Sequence, residues 1–263
     1  MLLTIDAGNT NTVFALLDGK TIVRQWRIST VVQRTSDEYT VWISQLMRLA
    51  DLDPADVNGA ILATVVPPVQ RHLVRLCVDY FQCDPLIVGD ERVDLGVGVR
   101  VPNPGEVGAD RLVNAVAGHQ LYGGPLIVVD FGTATTFDVI GETGDYLGGV
   151  IAPGINLSLW ALHEAAAKLP RIAVEEPSTS RVTGTTTLDA MQSGIYWGYV
   201  GLLEGIVDRL RQEHDPQMRV LGTGGLARVF FNRTDAIDAV DGDLTLHGLR
   251  LIYERNVTAP AVS

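Results

Sequence analysis

One short pattern is written twice in this chain, and it restricts the possible folds more than any other feature. An apolar run ending at Ile5 leads into Asp6-Ala7-Gly8-Asn9-Thr10-Asn11-Thr12, and another ending at Val129 leads into Asp130-Phe131-Gly132-Thr133-Ala134-Thr135-Thr136. Each copy reads strand, Asp, any residue, Gly, then a cluster of Asn and Thr. A further apolar strand follows in each, Val13-Phe14-Ala15-Leu16-Leu17 in the first and Phe137-Asp138-Val139-Ile140 in the second. The copies lie almost half of the 263 residues apart. That spacing predicts a duplicated half-domain, with two phosphate-gripping hairpins facing each other across a cleft.

The residue types suit such a grip. A strand that turns at Gly8 brings backbone N–H groups up to phosphate oxygens, since no Cβ blocks the approach. Asn9, Thr10, Asn11 and Thr12 add neutral donors. Asp6 repels phosphate, so its expected task is to hold a hydrated Mg²⁺ bridging nucleotide oxygens. The plainer alternative is an Asn-rich turn with a solvated Asp; two copies, each directly after an apolar strand, favour the phosphate reading. A third element, Val220-Leu221-Gly222-Thr223-Gly224-Gly225-Leu226, reads as a strand ending in a Gly-rich turn before a helix.

Around these motifs the two halves repeat one order. In the first, residues 2–5, 13–17 and 21–28 read as strands, with Asp18-Gly19 as a hairpin turn. Thr35 and Glu38 fit a capping box, followed by Tyr39, Trp42, Ile43, Leu46 and Leu49 at helical spacing. Residues 60–66 read as a buried strand ended by Pro67-Pro68. A helix carrying Val69, Leu73, Leu76, Cys77 and Tyr80 follows, then a strand at 85–88. The second half has strands at 126–129, 135–140, 146–151 and 218–221, with helices between. Three strands and then αβαβ is the layout of the ribonuclease-H-like unit. The predicted fold is therefore α/β, two such units of the actin-like ATPase kind with a nucleotide cleft between them. The expected domains are residues 1–115 and 116–263, divided inside a helix that acts as a hinge.

Composition narrows the function classes. A formal net charge of −11 disfavours non-specific nucleic-acid binding, which needs a basic surface. Phosphate must then be held locally by amides, by Arg or Lys, or through a cation. No apolar run reaches membrane-span length, and the N-terminal residues lack the basic region of a signal peptide. Cys77 and Cys83, with no His nearby, suggest neither zinc nor a disulfide. A cytoplasmic protein is expected.

The segment Asn103-Pro104-Gly105-Glu106-Val107-Gly108-Ala109-Asp110-Arg111 discriminates among relatives of this fold. Together with both hairpins, Gly148-Gly149-Val150-Ile151-Ala152-Pro153-Gly154, Ala167-Lys168-Leu169-Pro170-Arg171 and Ala190-Met191-Gln192-Ser193-Gly194, it makes the chain resemble the type III pantothenate kinases over nearly its whole length. The resemblance implies phosphorylation of pantothenate by ATP, the first committed step toward coenzyme A. It implies Asp110 as general base, Gly108, Ala109, Asp110, Arg111 and Thr187 as pantothenate contacts, and Asp6 through Val13 with Thr133 as the ATP site. It further implies Mg²⁺ at Asp6, a monovalent cation (K⁺ or NH₄⁺) at Asp130, and a homodimer with pantothenate near the subunit interface. From the residues alone, Asp110 is better explained as a cap of a helix over residues 111–119, and Arg111 as half of a surface ion pair, and it is the resemblance that reverses this preference. Likewise Thr133 is a plain hairpin threonine and Thr187 a helix N-cap.

Two departures from the family pattern stand out. Val101 occupies a position that is usually aromatic, and Gly184-Thr185-Thr186-Thr187 replaces the commoner Gly-Lys-Asn-Thr. Gly194, Gly198, Gly201 and Gly205 recur at helical spacing, which permits close helix approach either within the chain or between two copies. A catalytically silent binding protein is disfavoured by the presence of Asp6, Asp110 and Asp130, and a sugar kinase by the short chain.

Overall fold

The computed structural model describes residues 1–165, 170, 172–177 and 181–258. Its elements divide into two compact units, Met1–Gln120 with the chain from Asp243, and Leu121–Gly242.

The first unit holds a five-stranded sheet in the order β3-β2-β1-β4-β5. Its strands are β1 (Leu2–Ala7), β2 (Asn11–Asp18), β3 (Thr21–Ser29), β4 (Gly59–Thr64) and β5 (Pro85–Ile87). The first three form an antiparallel meander, and β4 and β5 run parallel to β1. Alternation along the strands sends side chains to opposite faces. Leu3, Ile5, Ala60 and Leu62 pack one way with Tyr39, Ile43, Val69 and Leu73 of helices α1 (Ser36–Leu49) and α2 (Pro67–Arg75). Ile61 and Ala63 pack the other way with Val113 and Val116 of α3 (Ala109–Tyr122). Thus β4 is apolar throughout because both its faces are covered. The predicted capping box opens α1: the Thr35 N–H donates to a Glu38 carboxylate oxygen at 2.7 Å, and the Glu38 N–H to Thr35 Oγ1 at 3.3 Å.

The second unit repeats the plan. Its sheet runs β10-β9-β6-β7-β8, the same order read from the other edge. The strands are β6 (Leu126–Phe131), β7 (Ala134–Ile140), β8 (Tyr146–Pro153), β9 (Arg219–Gly224) and β10 (Ala239–Val240), with helices α4 (Ile155–Ala165), α5 (Thr187–Glu213) and α6 (Ala227–Phe231). Ile127, Val129 and Phe131 on one face of β6 meet Tyr196, Tyr199, Val200 and Leu203 of α5. Phe230 of α6 stacks on Phe131, with ring centroids 5.7 Å apart and planes 10° apart.

The predicted division at residue 116 differs from the structure in two ways. The first unit runs to Gln120, and the last helix, α7 (Leu244–Thr258), returns to it. Leu249 and Ile252 of α7 join the core beneath β4, and Leu246 packs on Ala15 and Leu17. Helices α7 and α3 approach so closely that a Cβ at Gly248 would lie 2.6 Å from Val113 Cγ1. A boundary placed by sequence order could not include a segment that comes home from the far end of the chain.

Candidate active site

Asp6 and Ala7 are the last residues of β1, and β2 begins at Asn11, so the first hairpin turns over Gly8, Asn9 and Thr10. Asn9, Thr10 and Asn11 are exposed, and Asp6 is half-buried at the strand end. The Gly8 N–H donates to the Asn11 carbonyl at 3.0 Å and closes the turn. A Cβ at Gly8 would touch only the Asn11 carbonyl, at an ordinary 3.4 Å. The fold itself therefore does not require glycine there. Ala7 and Thr12, both expected to contact nucleotide, are buried within the chain. The Ala7 carbonyl accepts from the Val65 N–H at 3.2 Å and from Thr64 Oγ1 at 3.1 Å, while Thr12 Oγ1 pairs with Thr30 Oγ1 at 2.9 Å. Val13 is half-buried within β2.

Asp110 connects to this hairpin through packing. The residue after β4, Val65, donates to the carbonyl of Ala7, and its Cγ1 lies 3.3 Å from where a Gly108 Cβ would sit. The same Cβ would come within 2.5 Å of Asp110 Oδ1, so glycine at 108 makes room for the carboxylate. Asp110 thus stands at the end of the sheet where β1 and β4 finish. It lies inside the first turn of α3 rather than before it, and Oδ1 accepts from the Arg111 N–H at 2.8 Å. The capping alternative fails in its usual form, because an N-cap bonds the amide two or three residues on. Burial raises the Asp110 carboxyl above the usual carboxylate range, with the Arg111 amide and guanidinium pulling against it. A desolvated carboxylate near a phosphate site is a stronger proton acceptor than a solvated one. Arg111 is half-buried beside it.

In the second unit Asp130 is half-buried near the end of β6, in register with Thr136 and Thr223. Gly224 adopts φ +87°, and a Cβ there would lie 2.5 Å from Asp130 Oδ1 and 2.8 Å from the Phe131 backbone N and O. The Asp130 carboxylate and the Phe131 backbone thus pack directly against Gly224, where only glycine fits without a shift. Among the described residues no three His, Cys, Asp or Glu side chains converge on a metal position. Any Mg²⁺ at Asp6 would therefore share one carboxylate with phosphate oxygens and water, as is usual in kinases. Thr133 is exposed at the hairpin tip, and its carbonyl accepts from the Gly154 N–H at 3.2 Å.

Thr187 is exposed as the first residue of α5, and the N-cap is its neighbour Thr186, whose Oγ1 accepts from the Asp189 N–H at 3.1 Å. The capping expectation for Thr187 was thus one residue off, leaving the Thr187 hydroxyl out of the cap. The preceding loop folds back on α5: Ser193 donates to the Val182 carbonyl, and a Cβ at Gly184 would lie 2.5 Å from the Asp189 carbonyl carbon. Val101 is half-buried. Of the family-like stretch at 167–171, only Pro170 is among the described residues. Sequence reasoning missed Thr30 and Thr64, which hold the base of the first hairpin. Their only signal was position just beyond, or at the end of, a strand.

The profile of the type III pantothenate kinases matches residues 2–209. A type III pantothenate kinase of Paramagnetospirillum magneticum is 57% identical over 258 residues, covering 98% of each chain. One from Rhodospirillum rubrum is 56% identical, over 97% of this chain and 99% of its own. Among solved structures, a Baf family transcriptional activator from Campylobacter jejuni superposes with a TM-score of 0.61 at 19% identity, covering 98% of this chain and 100% of that one. A 2-dehydro-3-deoxygalactonokinase from Sinorhizobium meliloti does so at 0.60 and 11%, covering 99% and 98%. These distant likenesses carry the fold, that of the duplicated actin-like and sugar-kinase ATPases. The close relatives carry more, and the chain belongs to the type III pantothenate kinases.

Proposed function

We propose that this chain performs its family's reaction, transfer of the γ-phosphoryl group of ATP to the primary alcohol of pantothenate, with Asp110 as the base. The observation that carries the assignment is the half-buried Asp110 carboxylate, made more basic by burial and packed through Gly108 and Val65 against the base of the first hairpin. In-line attack requires the hydroxyl to lose its proton as it meets phosphorus, and a positioned carboxylate accepts it. Arg111 is the charge-matched partner for the pantothenate carboxylate, and a guanidinium can meet it with two parallel bonds. The exposed Thr187 hydroxyl is assigned a pantothenate contact.

Asn9, Thr10 and Asn11, with the room left at Gly8, hold the ATP phosphates, and Thr133 contributes from the second hairpin. Mg²⁺, bound by Asp6 and the nucleotide, would offset phosphate charge. Asp130 is assigned K⁺ or NH₄⁺, which would add to that charge balance in a strongly acidic chain. The protein is assigned to the cytoplasm; among its described residues no helix is long and apolar enough to cross a membrane. A homodimer is supported by the outer face of α5. Gly194, Gly198 and Gly201 are exposed there, and a Cβ on any of them would meet no atom of the described residues within 4 Å. Packing against the described residues therefore does not explain their spacing. Exposed Leu157, Trp160 and Leu162 on α4 add apolar surface.

A coupled ADP-release assay with pantothenate and a panel of sugars, with and without K⁺, tests the reading. Turnover is expected only with pantothenate and a monovalent cation, and Asp110→Asn is expected to lose most of kcat while still binding ATP. Turnover on sugars but not on pantothenate would overturn the substrate, and an active Asp110→Asn enzyme would overturn the base.

A further inference from the structure

The two hairpins are closed by the same backbone bond, yet the residue that makes it carries a side chain in only the first. In each unit the residue just after the third strand donates its N–H to a carbonyl of the hairpin turn. Thr30 reaches Thr10 at 2.9 Å, and Gly154 reaches Thr133 at 3.2 Å. Thr30 then does something Gly154 cannot. Its Oγ1 donates to the Gly8 carbonyl at 2.7 Å. A hydroxyl carries one proton, so the 2.9 Å bond between Thr12 and Thr30 must run from Thr12 Oγ1 to Thr30 Oγ1. The relay Thr12 to Thr30 to Gly8 is anchored at its buried end, since Thr12 is fully enclosed. At Gly154 a Cβ would lie 2.7 Å from the Gly132 carbonyl oxygen, so position 154 cannot carry a side chain that plays the part of Thr30.

We propose that Thr30 is a positioning residue for the nucleotide, fixing the peptide between Gly8 and Asn9 in the one orientation that accepts phosphate. In a planar trans peptide the carbonyl and the following N–H point in opposite directions. With the Gly8 carbonyl held toward Thr30 and buried Thr12, the Asn9 N–H points the other way, to the exposed side of the turn. Glycine has no Cβ to restrain its dihedrals, so an unlatched Gly8 peptide is free to flip. The flip would put an acceptor oxygen where a phosphate oxygen binds. This assignment rests on reading the first hairpin as the ATP phosphate site.

The test uses the full-length enzyme in three variants, Thr30→Val, Thr30→Ser and Gly8→Ala. Thr30→Val keeps the shape and removes the hydroxyl. Its KM for ATP is expected to rise about tenfold, equivalent to about 1.4 kcal/mol, with KM for pantothenate within about twofold of wild type. Thr30→Ser restores the hydroxyl and should recover ATP affinity. Amide hydrogen exchange at Gly8, whose N–H is bonded to the Asn11 carbonyl within the turn, should quicken in Thr30→Val without ligand, a readout independent of turnover. A wild-type KM for ATP in Thr30→Val, equal rises in both KM values, or a Thr30→Ser enzyme as impaired as Thr30→Val would each overturn the latch. Gly8→Ala separates this from the underlying reading, since the chain itself has room for that methyl group. If it binds ATP normally, the phosphate assignment fails; if it loses ATP while Thr30→Val keeps it, only the latch fails.

Discussion

Adjacent glycines at the end of β9, Gly224 and Gly225, face opposite demands, and substituting each by alanine makes a sharp test of the second site. Gly224 sits at φ +87°, where an alanine costs about 1–2 kcal/mol because its Cβ crowds the carbonyl. The new Cβ would also lie 2.5 Å from Asp130 Oδ1 and 2.8 Å from the Phe131 backbone. The carboxylate can swing aside. Phe131 cannot, because it is in register with Gly224 across the parallel pair β6–β9 and its ring stacks on Phe230. Overpacking of this kind adds about 1–3 kcal/mol. The sum, about 2–5 kcal/mol, lowers Tm by about 5–20 °C for a unit of this size. Gly225→Ala, by contrast, meets no atom within 4 Å and should change stability by less than about 1 kcal/mol. Thermal unfolding of both full-length variants, with activity measured across a K⁺ titration, decides the matter. If K⁺ binds at Asp130 as proposed, Gly224→Ala should also need more K⁺ for half-maximal rate, because the Asp130 carboxylate has been displaced. If Gly224→Ala melts with Gly225→Ala, the packing argument is wrong. If it melts low yet shows an unchanged K⁺ requirement, the cation does not bind at Asp130.

Asp110 binds its proton more tightly folded than unfolded, so its stability contribution falls as pH rises from the usual carboxylate range through its raised value. Above that raised value the cost is fully present. Asp110→Asn should therefore melt higher than wild type at pH 7, with the gap closing on acidification, and a lower melting point at pH 7 would refute the desolvation argument. By the same shift, the acid limb of the kcat profile should lie above the usual carboxylate range. Phe230→Ala removes a fully buried ring stacked against Phe131 and Tyr196, and should cost about 3–5 kcal/mol in chemical denaturation. Thr35→Ala should cost about 1 kcal/mol by breaking the capping box at α1, with kinetics unchanged.

What could be read in advance was whatever is written locally. Strand alternation and the Asp-x-Gly hairpins lie within a few consecutive residues, so the duplicated three-strand meander was visible twice. So was the Thr35–Glu38 box, whose two partners are three residues apart. The roles of Thr12 and Thr30 are set instead by register. Pairing of Thr12 with Ile28 across β2 and β3 carries Thr30 alongside the hairpin, and nothing in either residue's neighbours announces that. Thr12 looked like one more donor in an Asn/Thr cluster, whereas burial turns its hydroxyl inward. The N-cap of α5 was misplaced within a run of three threonines, where geometry alone distinguishes Thr186 from Thr187. Short β10 escaped notice because two residues carry no periodicity.

The return of α7 to the first unit has a consequence for biosynthesis. Leu121–Gly242 is a continuous stretch and has all its strands by the time its last residue leaves the ribosome. The first unit waits. Its sheet is translated first, but the apolar underside formed by Ile61, Ala63 and Leu17 stays without its α7 cover until residues 244–258 emerge. The earliest part of the chain to be made is thus the last to be completed, and through that interval it exposes surface that chaperones recognise. A chain truncated before α7 should aggregate through its N-terminal sheet while its middle segment folds normally.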